Sequence, residues 1–298
     1  MSFLPMKVPP AILVGRDQGV AEEHLPFYDR SMIRWISVFA WVLLSIGGLA
    51  FADDKPGEKS GEGASKPSYY LIGNSLTWDT VPSKLDGDVQ WHVDCGKSLP
   101  FIYENPDKPC VKTSTLWPQA LKEKQYDYVS LQIHYGSTLM EDAAVVSELI
   151  AMQPDATIIL HTGWAKSEYR VEEYAKKNAG GKMQHSPVYF RKLLETLRGV
   201  HPDREFRLTY AQNLLHQVAT DIGAGKAPFK KIEDVYRDAI HMNVVTGRYL
   251  MHNAMRLALD QPISGEGFPK IGEAEKAYLD SVLAMRDDIA ARVDAGGK

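Results

Sequence analysis

The strongest constraint on how this chain folds is the alternation, from residue 68 onward, of short apolar runs with longer stretches whose apolar residues recur at helical spacing. Runs at 69–72, 89–93, 126–132, 157–161 and 206–210 have the length and composition of strands. Between them, 116–124, 142–152 and 187–200 have helical periodicity and lie where crossover helices are required if the strands are parallel. Three more helical stretches, 213–222, 244–259 and 271–293, follow the last strand. Parallel strands are buried on both faces and need a layer of helices on each. The expected fold is therefore α/β: a flavodoxin-like three-layer α/β/α sandwich around a five-stranded parallel sheet, without repeats or a second domain.

The N-terminal region reads differently. Arg30 and Arg34 precede an uncharged run at 35–52 that ends Ala50-Phe51-Ala52 before Asp53-Asp54. A basic flank, an apolar stretch and a small-x-small site form the layout of a secretory signal peptide, assigned here to 32–52, with cleavage after Ala52. The alternative is a membrane anchor, because a run of this length can just span a bilayer; Ser45, Gly47 and Gly48 dilute it and favour cleavage. Residues 1–31 resemble neither a targeting signal nor a domain, and Met32-Ile33-Arg34 makes a more natural start. Residues 53–67, rich in Lys, Glu, Gly, Ser and Pro, bury too little apolar surface to fold and read as a flexible linker ahead of a single domain at 68–298. The expected location is periplasmic or extracellular, with membrane contact only if the signal segment stays uncleaved. A formal charge of -4 offers no broad basic surface, which sets nucleic acid aside.

Export also bears on Cys95 and Cys110, the two cysteines of the chain. In an oxidising compartment a disulfide between them persists, and the Pro-containing stretch between them can turn the chain back. Two free thiols or a metal pair are the alternatives, but such a wide spacing without a second pair is a poor zinc signature. No metal site or cofactor is expected.

Candidate chemistry begins at Ser75, just past the first strand. Open α/β sheets build their sites outside the carboxyl ends of the strands, and Gly73 permits a tight turn there. Thr77 or Asp79 could cap a helix behind the serine, which would aim N–H groups at an oxyanion. A plain strand-to-helix turn accounts for this fragment equally well. Far along the chain, Asp238 stands three residues before His241 at the entrance to a helix. A serine needs a base to take its proton, and the imidazole needs a carboxylate to fix its tautomer, so Asp238 and His241 suit the two roles. Read alone, this pair also fits a solvated surface loop.

Together the two ends resemble the SGNH (GDSL-like) hydrolase superfamily. Gly73-Asn74-Ser75-Leu76 is similar to its first block and Asp238-Ala239-Ile240-His241 to its last. The chain looks closest to a branch with a Gly-Asn-Ser first block and a Val-x-Leu-Gln third block, here Val129-Ser130-Leu131-Gln132. The resemblance implies a Ser75, His241 and Asp238 triad, with oxyanion donors from the N–H groups of Ser75 and Gly96. The superfamily's third donor is an asparagine after the third strand, which is missing here. Gln132 offers an amide on a longer arm, and His134 is the other candidate. Asn74, His134 and Trp164 are candidates for substrate contact, Trp164 either as an exposed ring against a sugar or as a ring that packs a loop. His161, His185, His216 and His252 receive no catalytic role, and His252 is expected on the polar face of a helix.

The implied function is an exported serine ester hydrolase acting on a small-molecule or carbohydrate ester, acetylated polysaccharide included. The alternative is an inactive carbohydrate-binding or cell-surface module on the same scaffold, favoured by the altered third block. A cysteine enzyme using Cys95 fails if the disulfide forms.

Overall fold

The computed structural model describes residues 66–295. The N-terminal extension (1–31), the signal segment (32–52) and residues 53–65 of the linker lie outside the described residues. Five parallel strands form: β1 (Ser68–Gly73), β2 (Asp88–Val93), β3 (Tyr128–Gln132), β4 (Thr157–His161) and β5 (Phe206–Leu208). Their spatial order is β2-β1-β3-β4-β5, so the chain is a flavodoxin-like three-layer α/β/α sandwich. In this order the topological switch point falls between β1 and β3, and the crevice at their carboxyl ends is where such folds place a site.

The helices are α1 (Ser75–Asp79), α2 (Leu99–Glu104), α3 (Trp117–Glu123), α4 (Leu139–Ala151), α5 (Arg170–Tyr174), α6 (Pro187–Val200), α7 (Ala211–Gly223), α8 (Thr246–Ala258), α9 (Glu273–Ala284) and α10 (Arg286–Asp294). Side chains alternate across each strand and divide the interior. Tyr70, Ile72, Val129, Leu131, Ile158 and Leu160 join the core that includes Leu99, Ile102, Val146, Leu149, Leu193 and Leu197. Tyr69, Leu71 and Ile159 pack instead with Met255, Ala258 and Leu259 at the end of α8.

Several boundaries differ from the sequence reading for identifiable reasons. The third strand begins at Tyr128, two residues later than the apolar run; just ahead of it the Asp127 carboxylate accepts from both the N–H and the hydroxyl of Ser68 and ties the start of β3 to β1. The fifth strand stops at Leu208: Tyr210 adopts φ 52° and turns the chain into α7. The single helix expected over 271–293 is two, because Met285 sits at φ -81° and ψ 0°, off the helical minimum, and joins the end of α9 to the start of α10. The short helices α1, α2 and α5 are five or six residues long, too brief to show a period.

One interior carboxylate makes stability sensitive to pH. Asp142 on α4 is fully buried; its Oδ2 accepts from the Tyr189 hydroxyl at 2.7 Å and its Oδ1 has no partner among the described residues. Burial pushes this carboxyl up from an ordinary 3.8 to about 7, against the lowering effect of the Tyr189 and Ser137 hydrogen bonds. Through that window the unfolded chain has released the proton while the folded chain retains it. The site's contribution is therefore complete below pH about 4 and is lost as pH rises through about 7. Asp142→Asn keeps an acceptor for Tyr189 and cannot ionise. In urea titrations its stability relative to the wild type should improve by roughly 1–3 kcal/mol between about pH 5 and about pH 8. A difference that does not change with pH would contradict this account.

Candidate active site

Three residues distant in sequence converge at the carboxyl end of β1. The Ser75 hydroxyl lies 2.9 Å from His241 Nε2, and His241 Nδ1 lies 2.9 Å and 3.0 Å from the two Asp238 carboxylate oxygens. With the carboxylate accepting from Nδ1–H, the lone pair is at Nε2, where the serine hydroxyl can donate to it. Asp238 Oδ1 also accepts the N–H groups of Ile240 and His241 at 3.0 Å and 2.9 Å. Burial opposes ionisation of Asp238, but these two N–H groups and the imidazole outweigh it and hold the carboxyl well below the usual range. The acid is nonetheless half open to water, with 47% of its side chain exposed.

The serine turn is built around Gln132. Its Oε1 accepts the Asn74 N–H at 2.9 Å, the Thr77 N–H at 2.9 Å and the Thr77 hydroxyl at 2.7 Å, while its Nε2 donates to Asn74 Oδ1 at 2.8 Å. Gly73 makes the approach sterically feasible: a Cβ there would stand 2.1 Å from Thr77 Oγ1 and 2.6 Å from Gln132 Cβ. Asn74 caps α1, its Oδ1 accepting the Leu76 N–H at 2.9 Å, so the cap falls to neither Thr77 nor Asp79. Trp78 donates its N–H to Asn74 O. Of the first-turn N–H groups, that of Ser75 has no partner among the described residues.

The second strand leads into the loop that carries Gly96, which is exposed, sits at φ 70° and likewise has an unpartnered N–H. This loop is tied in two places. Asn74 Nδ2 donates to Lys97 O at 2.9 Å, and Cys95 forms a disulfide with Cys110. The bridge closes the short loop that the sequence allowed, and the free-thiol and metal-pair alternatives drop out.

Three sequence candidates have other roles. Gln132 is 1% exposed and its amide is committed to the serine turn, so it is not presented to the crevice as an oxyanion donor. Asn74 is 1% exposed and binds Leu76, Lys97 and Gln132, which leaves it a strut and not a substrate contact. Trp164 is fully buried and offers no ring face to a sugar; its indole N–H donates to Ile240 O at 2.7 Å, beneath the loop that carries His241. His252 is also buried, bonded through Nδ1 to Thr80 O, and is not on a polar face.

His134 is not tied up by such hydrogen bonds among the described residues. It lies two residues past the end of β3, the strand beside β1, and is buried. Its ring packs 4.8 Å from Tyr135 and 5.5 Å from His185. Burial, and secondarily the charges of His185, His161 and His241, push its pKa down to about 3, so it stays neutral at ordinary pH. Its Nδ1 is sealed inside without a partner among the described residues. The support behind it leaves no trace in the sequence: Glu173 accepts from the Tyr135 hydroxyl at 2.6 Å and from the main-chain N–H of His185 at 2.9 Å. These contacts tie α5 to the loop that follows β3.

No protein-family model matches the chain, and no curated protein matches it. Among solved structures it is similar to a DUF4886 family protein from Bacteroides uniformis, with 15% identity over 74% of this chain and 94% of that one and a TM-score of 0.45. A putative GDSL-like lipase from Parabacteroides merdae shares 13% identity over 66% of this chain and 96% of that one, with a TM-score of 0.42. A carbohydrate esterase family 3 protein from Talaromyces cellulolyticus shares 10% identity over 66% of this chain and 100% of that one, with a TM-score of 0.35.

The strut role of Gln132 has a direct consequence for stability. Gln132→Leu leaves two buried N–H groups and a hydroxyl without their acceptor, and each orphaned group costs about 1–3 kcal/mol. Chemical denaturation should show a loss of at least about 3 kcal/mol. A variant as stable as the wild type would mean that the turn is held by something else.

Proposed function

We propose that the protein is a serine ester hydrolase working by acyl transfer, with Ser75 as nucleophile, His241 as general base and then acid, and Asp238 as the group that orients His241. The observation that carries this reading is the continuous hydrogen-bonded path from Ser75 Oγ through the imidazole to the Asp238 carboxylate. In the first half-reaction Ser75 Oγ bonds to the ester carbonyl carbon while its proton passes to His241 Nε2. The tetrahedral intermediate collapses, the alkoxide leaves with that proton, and an acyl-serine remains. Water then repeats the sequence, His241 taking its proton and returning it to Ser75, and the carboxylic acid is released.

The negative oxygen of each intermediate needs donors already in place. The N–H groups of Ser75 and Gly96 fill this role in our reading, supported by their lack of any other partner among the described residues. His134 takes the third position. A neutral imidazole with Nδ1 sealed away from any acceptor keeps its proton on Nε2, as an N–H donor and not a competing base. The substrate class we assign is an O-acyl carbohydrate, acetyl esters in particular, outside the cell. The Cys95 to Cys110 bridge suits an oxidising compartment.

Purified protein lacking the N-terminal segment should hydrolyse short-chain aryl esters and acetylated xylan, and a fluorophosphonate probe should label Ser75. Ser75→Ala should lower turnover by at least about 1,000-fold without unfolding the chain. Because Asp238 is half exposed, water can partly replace it, and Asp238→Ala should lose less activity than Ser75→Ala. Undiminished turnover or labelling in Ser75→Ala would exclude the assignment, and absence of both in the wild type would favour a binding module. His134→Ala should reduce kcat by about 100- to 1,000-fold with KM little changed, and His134→Asn should recover part of that loss. A change confined to KM would make His134 a binding group instead.

A further inference from the structure

The serine and the histidine belong to elements 166 positions apart in sequence, so something must fix their separation. Ser75 opens α1, a helix of only five residues. His241 lies in the loop between Val235 and α8. The loop closes on itself through an antiparallel bridge between Tyr236 and Met242, with the Arg237 N–H donating to His241 O at 2.7 Å. On the side of β4 it is anchored by Trp164 Nε1 to Ile240 O and by the Ser167 N–H to Ala239 O. These anchors reference the histidine to the sheet. They do not reference it to the serine helix.

Asp79, the last residue of α1, makes that link. Its carboxylate is 1% exposed. Oδ2 accepts the N–H of Met242, the residue after His241, at 2.8 Å. Oδ1 accepts from Arg248 Nε at 2.9 Å and from a second guanidinium nitrogen at 2.7 Å, which places a positive charge from α8 behind the carboxylate. The ends of α1 are thus both engaged in the site: the serine at the first residue, the base loop at the last. Gly247 lets α8 start close enough, because a Cβ there would stand 2.1 Å from Val235 O and 3.0 Å from Met242. A buried carboxylate that makes a charge-assisted bond to a main-chain N–H is a stiff connection. Catalysis is sensitive to it, since a shift of about 1 Å between reacting groups can cost on the order of 100-fold in rate.

We propose that Asp79, locked by Arg248, is a positioning residue for acyl transfer that sets the distance between Ser75 and His241. The assignment rests on the serine hydrolase reading. It adds no contact with substrate, because the carboxylate is sealed from the crevice.

Asp79→Asn is the informative substitution. Both carboxylate oxygens of Asp79 face donors, Met242 N–H on one side and Arg248 on the other, and an amide supplies one oxygen. Its NH2 must confront one donor, and the loop has to move. We expect kcat on a short-chain aryl ester to fall about 10- to 100-fold while KM stays within about twofold. The rate of fluorophosphonate labelling of Ser75 should fall in parallel. A lowered melting temperature with kcat and labelling rate retained would make Asp79 purely structural and overturn the proposal. Should Asp79→Asn fail to fold, Arg248→Gln at the more exposed partner decides: a kcat loss of about fivefold or more at unchanged KM supports the lock, and an unchanged kcat overturns it. Ser75→Ala is measured alongside. Activity surviving in Ser75→Ala removes the hydrolase reading itself, whereas its loss there with full kcat in Asp79→Asn removes only the role of Asp79. If the wild type turns over no ester tested, labelling rates give the same comparison.

Discussion

The amide of Gln132 stands at the seam between β1 and β3, where the order of the sheet reverses, and the local architecture of the site depends on it. One oxygen gathers three donors from the serine turn, and the amide nitrogen returns a hydrogen bond to the residue that caps α1. Gly73 makes room for that approach. Once Gln132 and Asn74 have taken the N–H groups of Asn74, Leu76 and Thr77, the N–H of Ser75 remains uncommitted. Asn74 extends the same network to Lys97 O and so fixes the loop of Gly96 relative to the serine. The strut is buried and neutral, so it aligns these groups without adding a charge that would compete with the imidazole.

Beyond the turn, the site is a meeting of separately supported loops. The disulfide steadies the Gly96 loop at its base, the Trp164 indole props the histidine loop from β4, and Asn243 accepts the N–H groups of Val245, Thr246 and Gly247 to start α8 immediately after it. Each support uses a directional hydrogen bond or a covalent bond, whose geometry is more restrictive than apolar contact. The apolar residues of β1, β3 and β4 determine where the strands lie, and the polar struts determine where the loop side chains end up.

That division explains what could be read from the sequence. Periodicity reports burial, and burial shapes strands and long helices, so the five strands and the helix Pro187–Val200 were legible from apolar spacing. The break at Met285 was not, because the apolar spacing continues through it while a single ψ near 0° interrupts the helix. Ser75, Asp238 and His241 stood out only in combination: the serine turn and the Asp-x-x-His pair each fit a plain structural reading alone, and together they supply a nucleophile, a base and its orienter. Gln132 and Trp164 misled for a common reason: an amide and an indole have the same donors whether they face a substrate or a main-chain carbonyl. Only the three-dimensional arrangement shows that both donors point inward. Glu173 gave no signal at all, since its partners Tyr135 and His185 come from two other loops.

The exposure of Asp238 completes the physical picture. A buried acid can be oriented by the walls of its cavity, but this one has nearly half its side chain in water and no such walls. Its orientation comes from the turn it closes with the N–H groups of Ile240 and His241, which also stabilise its charge. The same short turn therefore ionises the acid, aims it at Nδ1 and fixes the imidazole relative to its own backbone. A unit so self-contained can be carried on a surface loop, provided the loop as a whole is held in register with the serine. The demand on the rest of the fold is correspondingly narrow: it must hold one rigid turn against another, which Trp164 does from the sheet and Asp79 from the serine helix.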